Sequence, residues 1–202
     1  MNKMKYFYLA FWFVFIAING FGCKSGSGET ADKKIMIDST KLDPAISDNY
    51  IGVFYHPPIN WKPLPPEVSS RMIKKDTANA ARELFSYNLS SVFIDSVSRS
   101  MLFTGKVKIN NPEMDMDDAI EAYSKDIMSK FNPDDIKKDE YENNGITITR
   151  FHVDRIDLVA FKLLFTNDRD EIIQFDYSIK KTFYESVEKA IESSIASIKY
   201  FK

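Results

Sequence analysis

Apolar and polar positions alternate most regularly between Ile146 and Ile198, and the rest of the fold is read outward from there. The turn Asn143-Asn144-Gly145 precedes Ile146 and Ile148, which alternate with Thr147 and Thr149. Asn-Gly is the strongest short-range hairpin signal, because a type I′ turn needs positive φ at both central positions. After Arg150 the apolar parity flips to Phe151 and Val153, which predicts a bulge or bend. Between Asp157 and Phe165, Val159, Phe161, Leu163 and Phe165 share one strand face, while Leu158, Ala160 and Leu164 share the other. A strand apolar on both faces is a central strand covered on both sides. Beyond the polar turn at 167–170, Ile173, Phe175, Tyr177 and Ile179 make one apolar face, opposite the mostly polar Ile172, Gln174, Asp176 and Ser178. Phe183, Val187, Ala190, Ile191, Ser194, Ile195 and Ile198 then recur at helical spacing, with no Gly or Pro from 182 to 198. Thr182-Phe183-Tyr184-Glu185 has capping-box spacing at the start of that helix.

The earlier body follows the same logic. Tyr50–His56 reads as a first strand, with Ile51, Val53 and Tyr55 opposite Tyr50, Gly52, Phe54 and His56. The proline-rich stretch 57–66 reads as an ordered extended loop, with Trp61 as a core plug or, less simply, a ligand platform. Pro66-Glu67-Val68 opens a helix with Val68, Met72 and Ile73 turned inward, and a second helix is expected over Asn79–Tyr87. Leu89–Ile94 and Met101–Lys108 are strands joined by a hairpin loop. Carboxylates at 113–118 open a long helix whose inner stripe is Met116, Ala119, Ile120, Tyr123, Ile127 and Phe131. The element order implies an α+β class, a largely antiparallel sheet flanked by helices.

The amino-terminal stretch changes this picture. Lys3 and Lys5 precede an apolar run, Tyr6–Ile18, that is too short for an ordinary membrane-spanning helix. Asn19-Gly20-Phe21-Gly22 breaks the run just ahead of Cys23, the only cysteine in the chain. This pattern resembles a bacterial lipoprotein signal peptide, with Gly22 as the small residue before the cut. Gly20 and Phe21 stand where the pattern usually carries an aliphatic and a small residue. The resemblance implies a diacylglyceryl group on Cys23, which becomes the first residue of the mature chain; two acyl chains anchor stably where one does not. Lys24 follows directly, and the absence of Asp there permits outer-membrane sorting in that class. The organisation expected is a signal peptide at 1–22, a tether at 23–49 rich in Gly and Ser at its start, and a domain at 50–202.

Net charge adds an exclusion. The chain has 27 basic and 29 acidic residues, and removing Lys3 and Lys5 with the leader leaves a mildly acidic body. That argues against nonspecific nucleic-acid binding. A single cysteine excludes both an internal disulfide framework and a cysteine-rich zinc site.

The body itself resembles the PsbP-like α/β/α sandwich, a superfamily that includes DcrB-type bacterial lipoproteins. The likeness rests on Tyr55-His56-Pro57-Pro58-Ile59-Asn60-Trp61, on the long helix at 115–131, and on Gln174-Phe175-Asp176-Tyr177 followed by the helix through Ile191–Ile198. It covers about Tyr50–Lys199. The resemblance implies an accessory, scaffold or partner-binding role, and implies no catalytic residue and no cofactor.

Candidate chemistry is sparse. His56 and His152 are the only histidines; each sits in or beside a strand and reads as structural, and no metal site is assigned. Glu113–Asp118 has the alternation of a calcium loop but lacks its glycine and closing glutamate. Asp95-Ser96-Val97-Ser98-Arg99-Ser100 gathers hydroxyls, a carboxylate and a guanidinium, but a hydrolase there would need His56 or His152 as base. The expectation is therefore a lipid-anchored protein on the periplasmic face of a bacterial envelope. It is held to the membrane through Cys23 and binds an envelope protein partner without catalysis. The alternatives are a carrier of a small apolar ligand at Phe54, Tyr55 and Trp61, or a hydrolase at Asp95–Arg99.

Overall fold

The alternation along the last third builds the middle of a seven-stranded antiparallel sheet. The computed structural model describes residues 37–65, 67–69 and 84–201. The strands are β1 (Ile46–Asp48), β2 (Val53–Tyr55), β3 (Trp61–Pro63), β4 (Phe85–Asp95), β5 (Met101–Ile109), β6 (Ile136–Asn143), β7 (Ile146–Asp154), β8 (Leu158–Thr166), β9 (Ile172–Lys180) and β10 (Lys199–Tyr200). The helices are α1 (Met116–Ser129) and α2 (Tyr184–Ala196). The large sheet runs β3-β4-β5-β9-β8-β7-β6, and β1-β2-β10 form a small second sheet. The class is α+β, with a helix on each face of the large sheet.

The double-faced strand β8 explains this layering. Val159, Phe161, Leu163 and Phe165 join a core with Ile191 and Ile195 of α2 and with Ile51, Val53 and Tyr55. Ala160 and Leu164 point the other way, into a second core with Ala119, Tyr123 and Ile127 of α1. Neither helix is stable alone, since ordering each residue costs about 1–2 kcal/mol. Each fully buried aliphatic side chain returns roughly 1.5–3 kcal/mol. The polar face of β9 is also used: buried Gln174 accepts a 2.6 Å bond from Tyr123 Oη of α1 and donates to Asp176 Oδ2. On α1, Asp115 caps the helix by accepting from the Asp118 N–H at 2.8 Å.

Several expectations are corrected. The parity flip at Arg150 is not a bulge, because β7 stays in unbroken register with both β6 and β8. Its first half, Ile146 and Ile148, faces the α2 core, and its second half, Phe151 and Val153, faces the α1 core. The bulge lies instead in β4, between Leu89 and Ser91, where it moves burial from Phe85 in the α1 core to Phe93 in the α2 core. Gly105 sits opposite; a Cβ there would lie 2.4 Å from the Asn88 carbonyl oxygen. The capping box at Thr182 does not form: the chain enters α2 through a 3-10 turn, Lys181–Phe183, and Phe183 stands at the cap without a side-chain bond.

The part of the expected tether from 37 to 49 is built into the domain. Asp38 caps the 3-10 turn Ser39–Lys41 and donates its N–H to Ser193 Oγ of α2 at 3.1 Å, and β1 pairs with β2. The first strand is shorter than Tyr50–His56, because Gly52 turns the chain at φ 73°. Leu84 is a bend and Phe85–Tyr87 belong to β4 rather than to a helix, and positions 79–83 of the expected 79–87 helix lie outside the described residues. Residues 67–69 are helical, but Val68 is exposed rather than turned inward; Met72 and Ile73 lie outside the described residues. Strand β6 had no hydrophobic signal because only Ile136 in it is buried.

Candidate functional site

Strand pairing between β6 and β7 gathers a cluster of charged, aromatic and imidazole side chains. Lys137 lies opposite His152, Asp139 opposite Arg150, and Tyr141 opposite Ile148. Directly paired residues share a sheet face, and Ile148 belongs to the α2 core. All six therefore stand on the α2 side, beside the edge strand β6. On the next strand inward, Phe161 stacks on His152 with ring centroids 4.8 Å apart and planes at 19°. Tyr184, the first residue of α2, lies 6.0 Å from Phe161 and donates to Glu188 Oε1 at 2.8 Å.

Arg150 and Asp139 hold each other in place. Arg150 forms a forked pair with Asp139, through Nε to Oδ1 at 3.0 Å and through Nη2 to Oδ2. Its guanidinium also lies over the Tyr141 ring, 5.4 Å from the centroid. Bonding to Asp139 holds the Arg150 pKa above its ordinary value. Burial pushes the Tyr141 hydroxyl up to about 12. Partial burial, helped by the neighbouring Arg150 charge, holds His152 below the usual histidine range, so the ring is neutral at pH 7. Among the described residues, His152 Nε2 and Tyr141 Oη are buried without a hydrogen-bond partner. Buried polar atoms of this kind are uncommon and call for an explanation.

The sequence candidates go elsewhere. Trp61 is 2% exposed and tilted against Tyr177, and Tyr55 is buried edge-on to Phe175; both fill the α2 core. Phe54 is half-buried, with the Lys199 ammonium 4.9 Å from its ring centroid. His56 is a bracket: Nδ1 is 2.9 Å from the Asp43 carbonyl oxygen, its N–H donates to Ser197 Oγ, and its carbonyl accepts from Ser194 Oγ. Asp95 closes its own loop, accepting from the Val97 and Ser98 N–H groups and from Ser98 Oγ. Burial alone would raise that carboxyl, but these bonds outweigh it and hold it below the usual carboxylate range. Ser100 Oγ lies 2.7 Å from Ser98 Oγ and donates to it, both residues buried, while Ser96 and Arg99 are exposed. None of these loop bonds reaches His56 or His152. No group of three or more His, Cys, Asp or Glu placed to hold a metal occurs among the described residues. Cys23 lies outside the described residues, and no described helix is long and apolar enough to cross a membrane.

Only His152 of this cluster was singled out as a candidate from sequence. Arg150, Tyr141 and Tyr184 carry no motif; they meet because two strands and a helix converge.

No protein-family profile matches the chain, and no curated protein matches its sequence. Among solved structures, that of cyanobacterial PsbP (CyanoP) from Synechocystis sp. PCC 6803 is similar, at 15% identity and a TM-score of 0.48, over 80% of this chain and 93% of that one. No residue role passes from that protein to this chain.

Proposed function

We propose that the protein is a lipid-anchored envelope protein of the DcrB-type kind, and that its domain binds a protein partner without catalysing a reaction. The observation that carries this is the position of the sole cysteine. Cys23 ends a leader with Lys3 and Lys5 ahead of a 13-residue apolar run, Tyr6–Ile18. It stands 13 residues, Lys24–Met36, ahead of the first described residue, Ile37. At about 3.3–3.6 Å per residue, the chain from Cys23 to Ile37 reaches at most roughly 50 Å. An acylated Cys23 would hold the domain within that distance of the periplasmic face, and Lys24 in place of Asp favours the outer membrane.

The partner surface is the β6 edge with its α2-side cluster. Arg and Tyr dominate interface hot spots, and groups already fixed by stacking and ion pairing lose little freedom on binding. Arg150, Tyr141 and Tyr184 fit both conditions, and His152, stacked on Phe161, fits the second. An extended segment of the partner would pair along β6, the eight-residue edge strand of the large sheet, as an added strand does.

Intact mass of the membrane-extracted protein, beside a Cys23→Ala variant, tests the anchor. A chain beginning at Cys23 with added acyl mass supports it, and a chain cut elsewhere without that mass refutes it. Photo-crosslinking in cells tests the surface. A crosslinker at position 137 on β6, exposed on the α2 side, should trap a reproducible partner that one at position 168 does not, and Arg150→Ala should weaken the capture. Equal trapping at both positions would sink this surface.

A further inference from the structure

The two ends of the large sheet differ in character. At one end the β8–β9 turn is polar and bound inward: Asn167 is buried and Arg169 Nη2 donates to the Tyr50 carbonyl. Asn144 Nδ2, in the β6–β7 turn, donates to the carbonyls of Ala196 and Ile198. Tyr50, exposed there, has the Lys106 ammonium 4.5 Å from its ring centroid. The opposite end carries the β4–β5 and β7–β8 hairpin tips, and each presents an aliphatic side chain outward. Val97 is 78% exposed and Ile156 is 94% exposed, the two highest values among the exposed large apolar residues described. Ile59, in the turn leading into β3, is exposed at the same end, since Trp61 pairs with Asp95. In strand order β5, β9 and β8 separate the two tips. That places Val97 and Ile156 about 14 Å apart, at roughly 4.8 Å per strand.

Cations accompany both tips. Arg99 follows Val97 by two residues, with φ 62°, and Arg155 precedes Ile156; both are exposed. Lys180, at the end of β9, lies between them and is exposed as well; of the carboxylates at the second tip, Asp154 is paired with Lys181 and Asp157 is exposed beside Ile156. An aliphatic side chain beside a long cationic one suits the bilayer interface, where the apolar part enters the acyl boundary and the cation stays at phosphate level. Both tips are tied internally: Asp95 accepts three bonds within one, and the Arg155 N–H donates to the Leu158 carbonyl at 2.8 Å across the other. Little ordering cost therefore attends insertion.

We propose that this end of the sheet rests on the lipid surface, with Val97 and Ile156 inserted and Arg99 and Arg155 at the phosphates. The inference rests on the anchored reading: two aliphatic residues bind lipid weakly, and a spacer of 13 residues keeps them at high local concentration beside it. Such docking leaves the β6 edge standing upright from the membrane and open along its length.

The test uses the full chain purified from membranes and reconstituted in protein-free vesicles of phosphatidylcholine and phosphatidylglycerol. Val97→Trp, Ile156→Trp and Asp168→Trp each add one fluorophore, and the parent chain's signal is subtracted. Brominated lipid should quench the added fluorescence at 97 and 156 and leave 168 unquenched. Quenching at 168 alone, or at none of the three, overturns the proposal. Shielding of 97 and 156 seen only with membrane extract, and not with pure lipid, assigns this end to a protein and overturns it too. Intact mass of the same sample reports separately whether Cys23 is acylated. Chain recovered without acyl mass is mixed with the same vesicles at lipid concentration raised to replace the tether; quenching at 97 and 156 there marks a failed anchor with the docking surface intact, and none marks a failed surface.

Discussion

Asn167→Ala should loosen the 48–52 loop from the sheet and cost the domain about 3 kcal/mol, a sum of hydrogen-bond terms. The side chain is 3% exposed and makes four bonds. Nδ2 donates to the Ile51 carbonyl at 3.0 Å and to Glu171 Oε2 at 2.7 Å. Oδ1 accepts from the Arg169 and Glu171 N–H groups, both at 2.9 Å. Ile51 is fully buried, so its carbonyl would lose its partner where water cannot replace it, at roughly 1–3 kcal/mol. The two turn N–H groups are nearer solvent and should cost about 0.5–1 kcal/mol each. Glu171 keeps Lys106 at 2.6 Å and Arg169 at 3.2 Å, so its loss adds little. Urea titration followed by tryptophan fluorescence reads the change. With a slope of about 2 kcal/mol per molar, the midpoint should fall by roughly 1.5 M at unchanged slope. Gly52→Ala gives a second reading of the same bracket, because its Cβ would sit 2.8 Å from Arg169 Nη2 and 3.1 Å from Asn167 Nδ2 at φ 73°. The double variant should cost less than the sum of the two. A midpoint shift in Asn167→Ala below about 0.3 M would correspond to well under 1 kcal/mol and refute the bracket.

Gly145→Ala meets no atom within 4 Å of its new Cβ, so its cost is the backbone strain at φ 77°, about 1–2 kcal/mol by the same titration. Ile195→Asp places a carboxylate at a site 2% exposed in the α2 core; loss of near-ultraviolet circular dichroism should report detachment of the helix, and an unchanged spectrum would contradict that packing. His152 has a folded pKa below its ordinary 6.5, so as pH falls through 6.5 the unfolded chain takes up the proton first and stability drops, levelling only below the depressed folded value. His152→Phe should flatten that part of the stability profile, and an unchanged slope between the two variants would show that the ring titrates normally.

The strands that the sequence determined by itself are those whose burial is local in pattern. β8 is apolar on both faces, β9 alternates with a period of two, α1 and α2 repeat at helical spacing, and Asn144-Gly145 takes positive φ at both positions, 53° and 77°. Each of those signals is carried by neighbours along the chain. Tertiary structure decided the rest. The parity change in β7 is readable only once two separate cores lie on the two faces of one sheet, and the real bulge in β4 is visible only through its register with β5. β6 is an edge strand exposed on both faces, so alternation had nothing to record, and β1 has three residues held by pairing with β2. The capping-box residues at Thr182 and Glu185 satisfied a local rule, yet the chain leaving β9 enters α2 through a 3-10 turn. The candidate site is the extreme case. His152 and Arg150 come from β7, Lys137, Asp139 and Tyr141 from β6, Phe161 from β8, and Tyr184 from α2. The Asn144-Gly145 turn sets the β6–β7 pairings among them, but nothing along the chain brings Phe161 and Tyr184 to that pair, because pairing of β8 and docking of α2 set those distances. The same holds for Val97 and Ile156, two unremarkable aliphatic residues in turns until the strand order puts them at one end of the sheet.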